Sequence, residues 1–158
     1  MDRRWIGSWL SGPRAAGVGQ PDALGYAGER LGLPETGPGA AAPVGRRLGA
    51  LLLDWVACVA IVRGLLDVDA STTLGVLAVP GLLALEYLLL LPTTGFTLGM
   101  RITRVRVARV AGADEGPPGL ASVVVRTALL LLVIPAVVYD RDRRGLHDKA
   151  AGTVVLRD

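Results

Sequence analysis

Three ionisable side chains stand where apolar sequence surrounds them: Asp54 in ALLLDWVACV, Glu86 in LLALEYLLLL and Arg126 in SVVVRTALLL. A charge left unpaired at the centre of a membrane helix costs at least about 2.5 to 3.5 kcal/mol. Such residues pair, take a proton or hold an ion. Two carboxylates and one guanidinium do not balance when all three are charged, so a proton, a bound cation or the nearby Arg47 must supply the difference. A buried carboxyl beside a like-charged neighbour can exchange a proton or a monovalent cation, and that is the chemistry this pattern offers. The alternative is static: Asp54 and Arg126 pair and fix helix register, while Glu86 is protonated or reaches the headgroups.

Two apolar runs must position these groups. The first, residues 48–66, is close to the roughly twenty residues that an α-helix needs to cross a bilayer. The second, residues 73–91, is interrupted by Pro80, Gly81 and Glu86 and ends at Pro92; Pro80 should kink it. If the two run antiparallel, Asp54 and Glu86 both lie roughly 8 to 9 Å in from one end. Arg126 enters a third apolar segment at a matching distance, so the sequence predicts one charge layer of Asp54, Glu86 and Arg126. Arg47 and Asp54 share a helix face but are about 10.5 Å apart along the axis, so the partner of Asp54 belongs on a neighbouring element. Ala50, Ala57 and Cys58 on that face admit a second helix closely, whereas Leu52, Trp55, Val56 and Val59 suit lipid or bulky packing. Arg63 falls on the opposite face, near the outer surface.

Arginines set the orientation. Arg46 and Arg47 precede the first run, and Arg101, Arg104, Arg106 and Arg109 follow the second, which places the N-terminus in the cytosol and the link at residues 67–71 outside. The third segment, residues 121–139, contains Arg126 and Pro135. A full crossing would carry Arg141, Arg143, Arg144 and Lys149 to the outside, so a re-entrant or interfacial path is preferred over a third span. Residues 102–110 (ITRVRVARV) and 153–156 (TVVL) are β-branched strand candidates that pair only if both lie on one side. Residues 111–119 read as an exposed turn. The fold class is thus an all-α integral membrane protein with two full spans, a third apolar segment and a small cytosolic β pair.

Composition agrees. The chain has 158 residues, 51% of them AVILMFWYC, with mean hydropathy +0.48, too apolar for the surface of an ordinary small soluble domain. The formal charge of +3 is distributed as basic flanks of apolar runs, which argues against a nucleic-acid face. Cys58 is the single cysteine and reads as a packed thiol. His147 is the single histidine, expected to be solvated, and no metal spacing exists around it. Nucleophile–base pairs and phosphate loops are absent too, so neither an enzyme nor a cofactor is expected. Residues 1–45 form a Gly/Pro-rich cytosolic segment in which Trp5, Ile6, Trp9 and Leu10, beside Arg3 and Arg4, suit a short interfacial anchor. A poorly ordered tail or a partner-docking peptide would read the same way. Residues 46–158 form the membrane domain.

The motifs RRLGALLLD (residues 46–54), GFTLGMRITRVRV (residues 95–107) and RRGLHDKAAGTVV (residues 143–155) resemble those of the RDD family, named for one arginine and two aspartates. The resemblance implies that these are Arg47 (or Arg46), Asp54 and Asp148. Met100 stands where the family usually has lysine. Asp148, amid Arg143, Arg144, His147 and Lys149, is expected to accept turn amides or to pair with Arg101 or Arg104. A small multi-span domain is implied, with ion or solute transport the usual suggestion. Two spans are too few to line a pathway, so a homo-oligomer or a larger membrane complex is expected, in the plasma membrane. The competing reading is an accessory or assembly subunit.

Overall fold

A computed structural model describes residues 25–110, 116–132, 139–140 and 142–158. The indole anchor at Trp5 and Trp9 and most of the turn after residue 110 lie outside these.

Helix α1 (Val44–Val59) runs on into a π-helical stretch, Ala60–Leu65. It begins after Pro43, whose fixed φ of −60° suits the approach to a helix. Arg63 closes its far end by donating from Nη1 to the Val68 carbonyl (2.6 Å) and from Nη2 to the Gly75 carbonyl (2.9 Å). The link is thereby fastened to helix α2 (Thr73–Thr94). The Thr72 hydroxyl caps α2 by accepting the Gly75 N–H at 3.0 Å. This helix passes through both Pro80 and Pro92 and stops at Gly95, whose φ of 80° is the left-handed conformation that glycine tolerates. Pro92, expected to end the helix, lies inside its last turn.

Each long helix buries one narrow stripe. On α1 it is Ala50, Asp54 and Cys58; on α2 it is Gly75, Val79, Leu83, Tyr87 and Leu91. Four-residue spacing keeps each set on one side. Leu52, Trp55, Val56, Leu77, Leu85 and Leu89 are exposed. Residues 44–65 and 73–94 are each long and apolar enough to cross a membrane, and only 22% and 28% of their most apolar windows are covered within the chain. A core helix of a water-soluble protein would be covered far more fully.

A short helix, α3 (Leu98–Thr103), follows α2 and packs on α1. The Thr97 hydroxyl caps it, accepting the Met100 N–H at 3.3 Å, and Arg104 ends it with φ of 54°. Strand β1 (Val105–Arg109) begins there. The strand expected from residue 102 starts three residues later because the Thr97 cap starts a helix that takes in Ile102 and Thr103. Helix α4 (Leu120–Leu131), helix α5 (Leu146–Ala150) and strand β2 (Thr153–Arg157) follow in order among the described residues.

Strands β1 and β2 pair antiparallel, from Val105 opposite Arg157 to Arg109 opposite Thr153. The other edge of β2 is taken by residues 39–42. Gly39 donates to the Arg157 carbonyl (2.8 Å), Arg157 to Ala40 (2.9 Å) and Ala42 to Val155 (2.9 Å). The stretch that the composition reads as linker thus covers an otherwise open sheet edge just before α1. At twelve residues, α4 is about 18 Å long, short of a full crossing. The chain leaves β1, runs out along α4 and is back against the same sheet at β2.

Candidate functional site

The two buried aspartates of the motifs lie in separate settings. Asp54 projects from the inner stripe of α1 toward the start of α3. The Thr97 hydroxyl donates to its Oδ2 at 2.6 Å and the Tyr87 hydroxyl at 3.3 Å, while the Gly99 N–H donates to Oδ1 at 2.5 Å. The first N–H groups of any helix lack intrahelical partners, and here one of them finds a carboxylate. A side chain at position 99 would collide with Asp54 Oδ1 and with the Ala50 carbonyl. Glycine is required there for close approach.

Glu86 of α2 reaches the same place. Its Oε1 accepts the Leu98 N–H at 3.2 Å, next to the Gly99 N–H that serves Asp54, and the Cys58 thiol lies 4.0 Å from Oε2. Among the described residues, no ion pair involves either group.

Asp148 is the hub of the second setting. It sits on α5 with no exposed side-chain surface, and Arg47 of α1 and Arg126 of α4 both form ion pairs with it, the former at 3.0 Å. The Gly145 N–H donates to its Oδ2 at 3.2 Å, tying the carboxylate to the start of its own helix. Arg47 also donates from Nε to the Ala42 carbonyl and from Nη2 to the Val155 carbonyl, both at 3.1 Å. One guanidinium therefore joins α1, α5, β2 and the edge segment, using the planar fork that distinguishes arginine from lysine.

Of the expected charge layer, the structure places Asp54 and Glu86 on adjacent amides of α3, Gly99 and Leu98. It directs Arg126 to Asp148 instead of Asp54. The physical reason is that the oxygens of Asp54 are occupied by neutral donors, Tyr87 of α2 and the Thr97 cap and Gly99 amide of α3, an element that hydropathy did not reveal. Asp148 pairs with neither Arg101 nor Arg104: the Arg101 guanidinium stacks over the Phe96 ring at 4.8 Å, and Arg104 is the exposed end of α3. His147, expected in solvent, is buried with Nε2 3.6 Å from Asp148 Oδ1, because α5 packs against α4. Of the two candidate arginines, Arg47 makes the contact. Thr97, Tyr87 and Gly99 were missed; the T-L-G-M run, a hydroxyl just ahead of an apolar turn, is the signal for a capped helix that could have found the first and third.

The family model for RDD matches residues 41–152. The chain belongs to the RDD family. No curated protein and no solved structure matches it. The arginine and two aspartates on which the resemblance rests therefore do not form one cluster in this RDD protein. Arg47 and Asp148 form one site, and Asp54 organises another. Met100, where the resemblance implies a lysine, is buried in the apolar core.

Proposed function

We propose that this RDD protein lies in the plasma membrane as a non-enzymatic, transport-type domain that handles protons, small cations or solutes through the Asp54–Glu86 carboxyl pair. The observation that carries the reading is the placement of two carboxyls, from α1 and α2, on the adjacent Gly99 and Leu98 amides of α3, with no ion-paired cation on either among the described residues. Such a pair holds one proton and can release it or trade it for a monovalent cation. The exposed apolar faces of both long helices support membrane insertion. The basic residues Arg46, Arg101, Arg104, Arg106 and Arg109 gather at the sheet end, which supports a cytosolic sheet and N-terminus. Two spans and a short third segment call for a homo-oligomer or a larger membrane complex to complete a pathway.

The test is flux. Purified protein reconstituted in vesicles with an internal pH-sensitive dye should dissipate an imposed proton or sodium gradient, and Asp54→Asn should abolish the effect. Equal rates from the wild type and the variant would sink the carboxyl mechanism.

A second reading, an accessory or assembly subunit, is favoured by one specific feature. Arg47 and Arg126 both tie to Asp148 inside the chain, while Leu52, Trp55 and Val56 leave an apolar face of α1 free for another membrane helix. Gentle-detergent purification that recovers a stoichiometric larger complex would favour this reading, and a lone homo-oligomer would count against it.

A further inference from the structure

Two hollows lie side by side between α1, α2 and α4, and Leu48, Leu51 and Leu130 line both of them. The inner one, of about 160 Å³, ends on Arg47, Arg126 and Asp148. The outer one, of about 380 Å³, is walled by Trp55, Pro80, Leu83 and Leu131. It faces the side of α1 on which Leu52 and Trp55 are exposed. Neither hollow is lined by Asp54 or Glu86, so this place is distinct from the carboxyl pair.

The inner hollow carries two guanidiniums against one carboxylate. Arg126 is 3% exposed, and its Nη1 serves Asp148 and the Thr153 hydroxyl. Among the described residues, its Nε has no hydrogen-bond partner. A buried donor left in this state costs about 1 to 3 kcal/mol, more when it is charged. An acceptor entering the hollow would recover that loss, and an anionic acceptor would also balance the excess positive charge. The way in, past Leu51 and Leu130, is apolar. A ligand that fits both ends has a single hydrocarbon chain and a small terminal anion.

We propose that the paired hollows bind a long-chain fatty-acid anion drawn from the adjacent leaflet. Its carboxylate meets Arg126 and Arg47, and its chain lies between α1 and α4 over Pro80. A phospholipid fits poorly, because its bulky headgroup would have to pass apolar walls to reach arginines whose side chains are 8% and 4% exposed. A neutral chain alcohol offers an acceptor but no charge. The orientation also matches a leaflet lipid: the arginines lie toward the sheet end of the helices, and the outer hollow lies farther along them.

The full chain in mild detergent, titrated with oleate and followed by native mass spectrometry, should show one saturable adduct per chain. Oleyl alcohol should bind at least about tenfold more weakly, the factor expected when about 1.4 kcal/mol of charge-assisted bonding is lost. Arg126→Gln should weaken the oleate adduct by a similar factor. Because that variant leaves Asp148 with one partner fewer and can fail to fold, Leu130→Phe provides the second arm: it narrows the passage without touching a charge and should also weaken the adduct. Equal binding of oleate and oleyl alcohol would overturn the proposal. So would an adduct unchanged by Leu130→Phe, or displacement of oleate by an anionic phospholipid at equal concentration.

Discussion

Asp54 and Asp148 are both fully buried and both sit on helices, yet they are stabilised by opposite means. Asp54 is held by the hydroxyls of Thr97 and Tyr87 and the amide of Gly99, groups with no net charge. Asp148 is held by two guanidiniums. A carboxylate solvated by neutral donors can give up its charge when a proton arrives, because nothing around it is left unbalanced. A carboxylate clamped between two arginines cannot, since its loss strands two buried cations. The difference separates a group suited to exchange from one suited to holding the domain together.

Removing each charge should break or confirm this contrast. Asp148→Asn leaves Arg47 and Arg126 buried without their counterion and should cost about 3 to 5 kcal/mol, the range for breaking a buried pair. Thermal unfolding in detergent would register this as a large drop in midpoint or a failure to accumulate folded protein. Asp54→Asn should cost less, about 2 kcal/mol, because an amide retains one acceptor for Thr97 or Gly99. If the two substitutions prove equally damaging, the contrast fails. Arg47→Lys belongs near the Asp54 value, also about 2 kcal/mol: it keeps the charge but loses the fork that reaches Ala42, Asp148 and Val155 together. Thr97→Val should cost about 1 kcal/mol, removing one donor to Asp54 and the cap of α3 at once.

The smallest effect concerns Asp69 in the link between α1 and α2, which accepts the Ser71 N–H and the Ser71 hydroxyl, both at 2.8 Å. Its donors resemble those of Asp54, but water surrounds it. The Ser71 amide, then its hydroxyl, hold the carboxyl below its ordinary value. Its contribution is therefore present above the ordinary carboxylate range and is lost as pH falls through the depressed value. Ser71→Ala should move the titration of Asp69 part of the way back up, read by side-chain carbon resonances against pH, with no measurable change in stability.

The sequence made some of this plain and hid the rest for identifiable reasons. Both long helices were legible because runs of Leu, Val and Ala leave no doubt about hydropathy, and the strand pair was legible, to within a few residues, from β-branched residues at 102–110 and 153–156. The matching depth of Asp54 and Glu86 followed from helical rise once the two runs were taken as antiparallel. The link from Arg47 to Asp148 did not: it spans 101 positions, and periodicity says nothing about contacts at that separation. Helix α3 was hidden because its six residues are too few to show a period, and the β-branched Ile102 and Thr103 at its end read as strand. The pairing of residues 39–42 with β2 was hidden by composition, since glycine, alanine and proline give no strand signal even where the backbone alone makes the bonds.

The position of β2 between its two neighbours bears on how the molecule is made. Its partners on either side, residues 39–42 and β1, leave the ribosome before it does, and so do Arg47 and Arg126. Until α5 and β2 emerge, the first helix must wait with its arginine unmatched and the sheet with its middle missing. Closure thus waits on one short stretch, carrying Asp148 and the strand after it, which joins the helices made before it into a single domain.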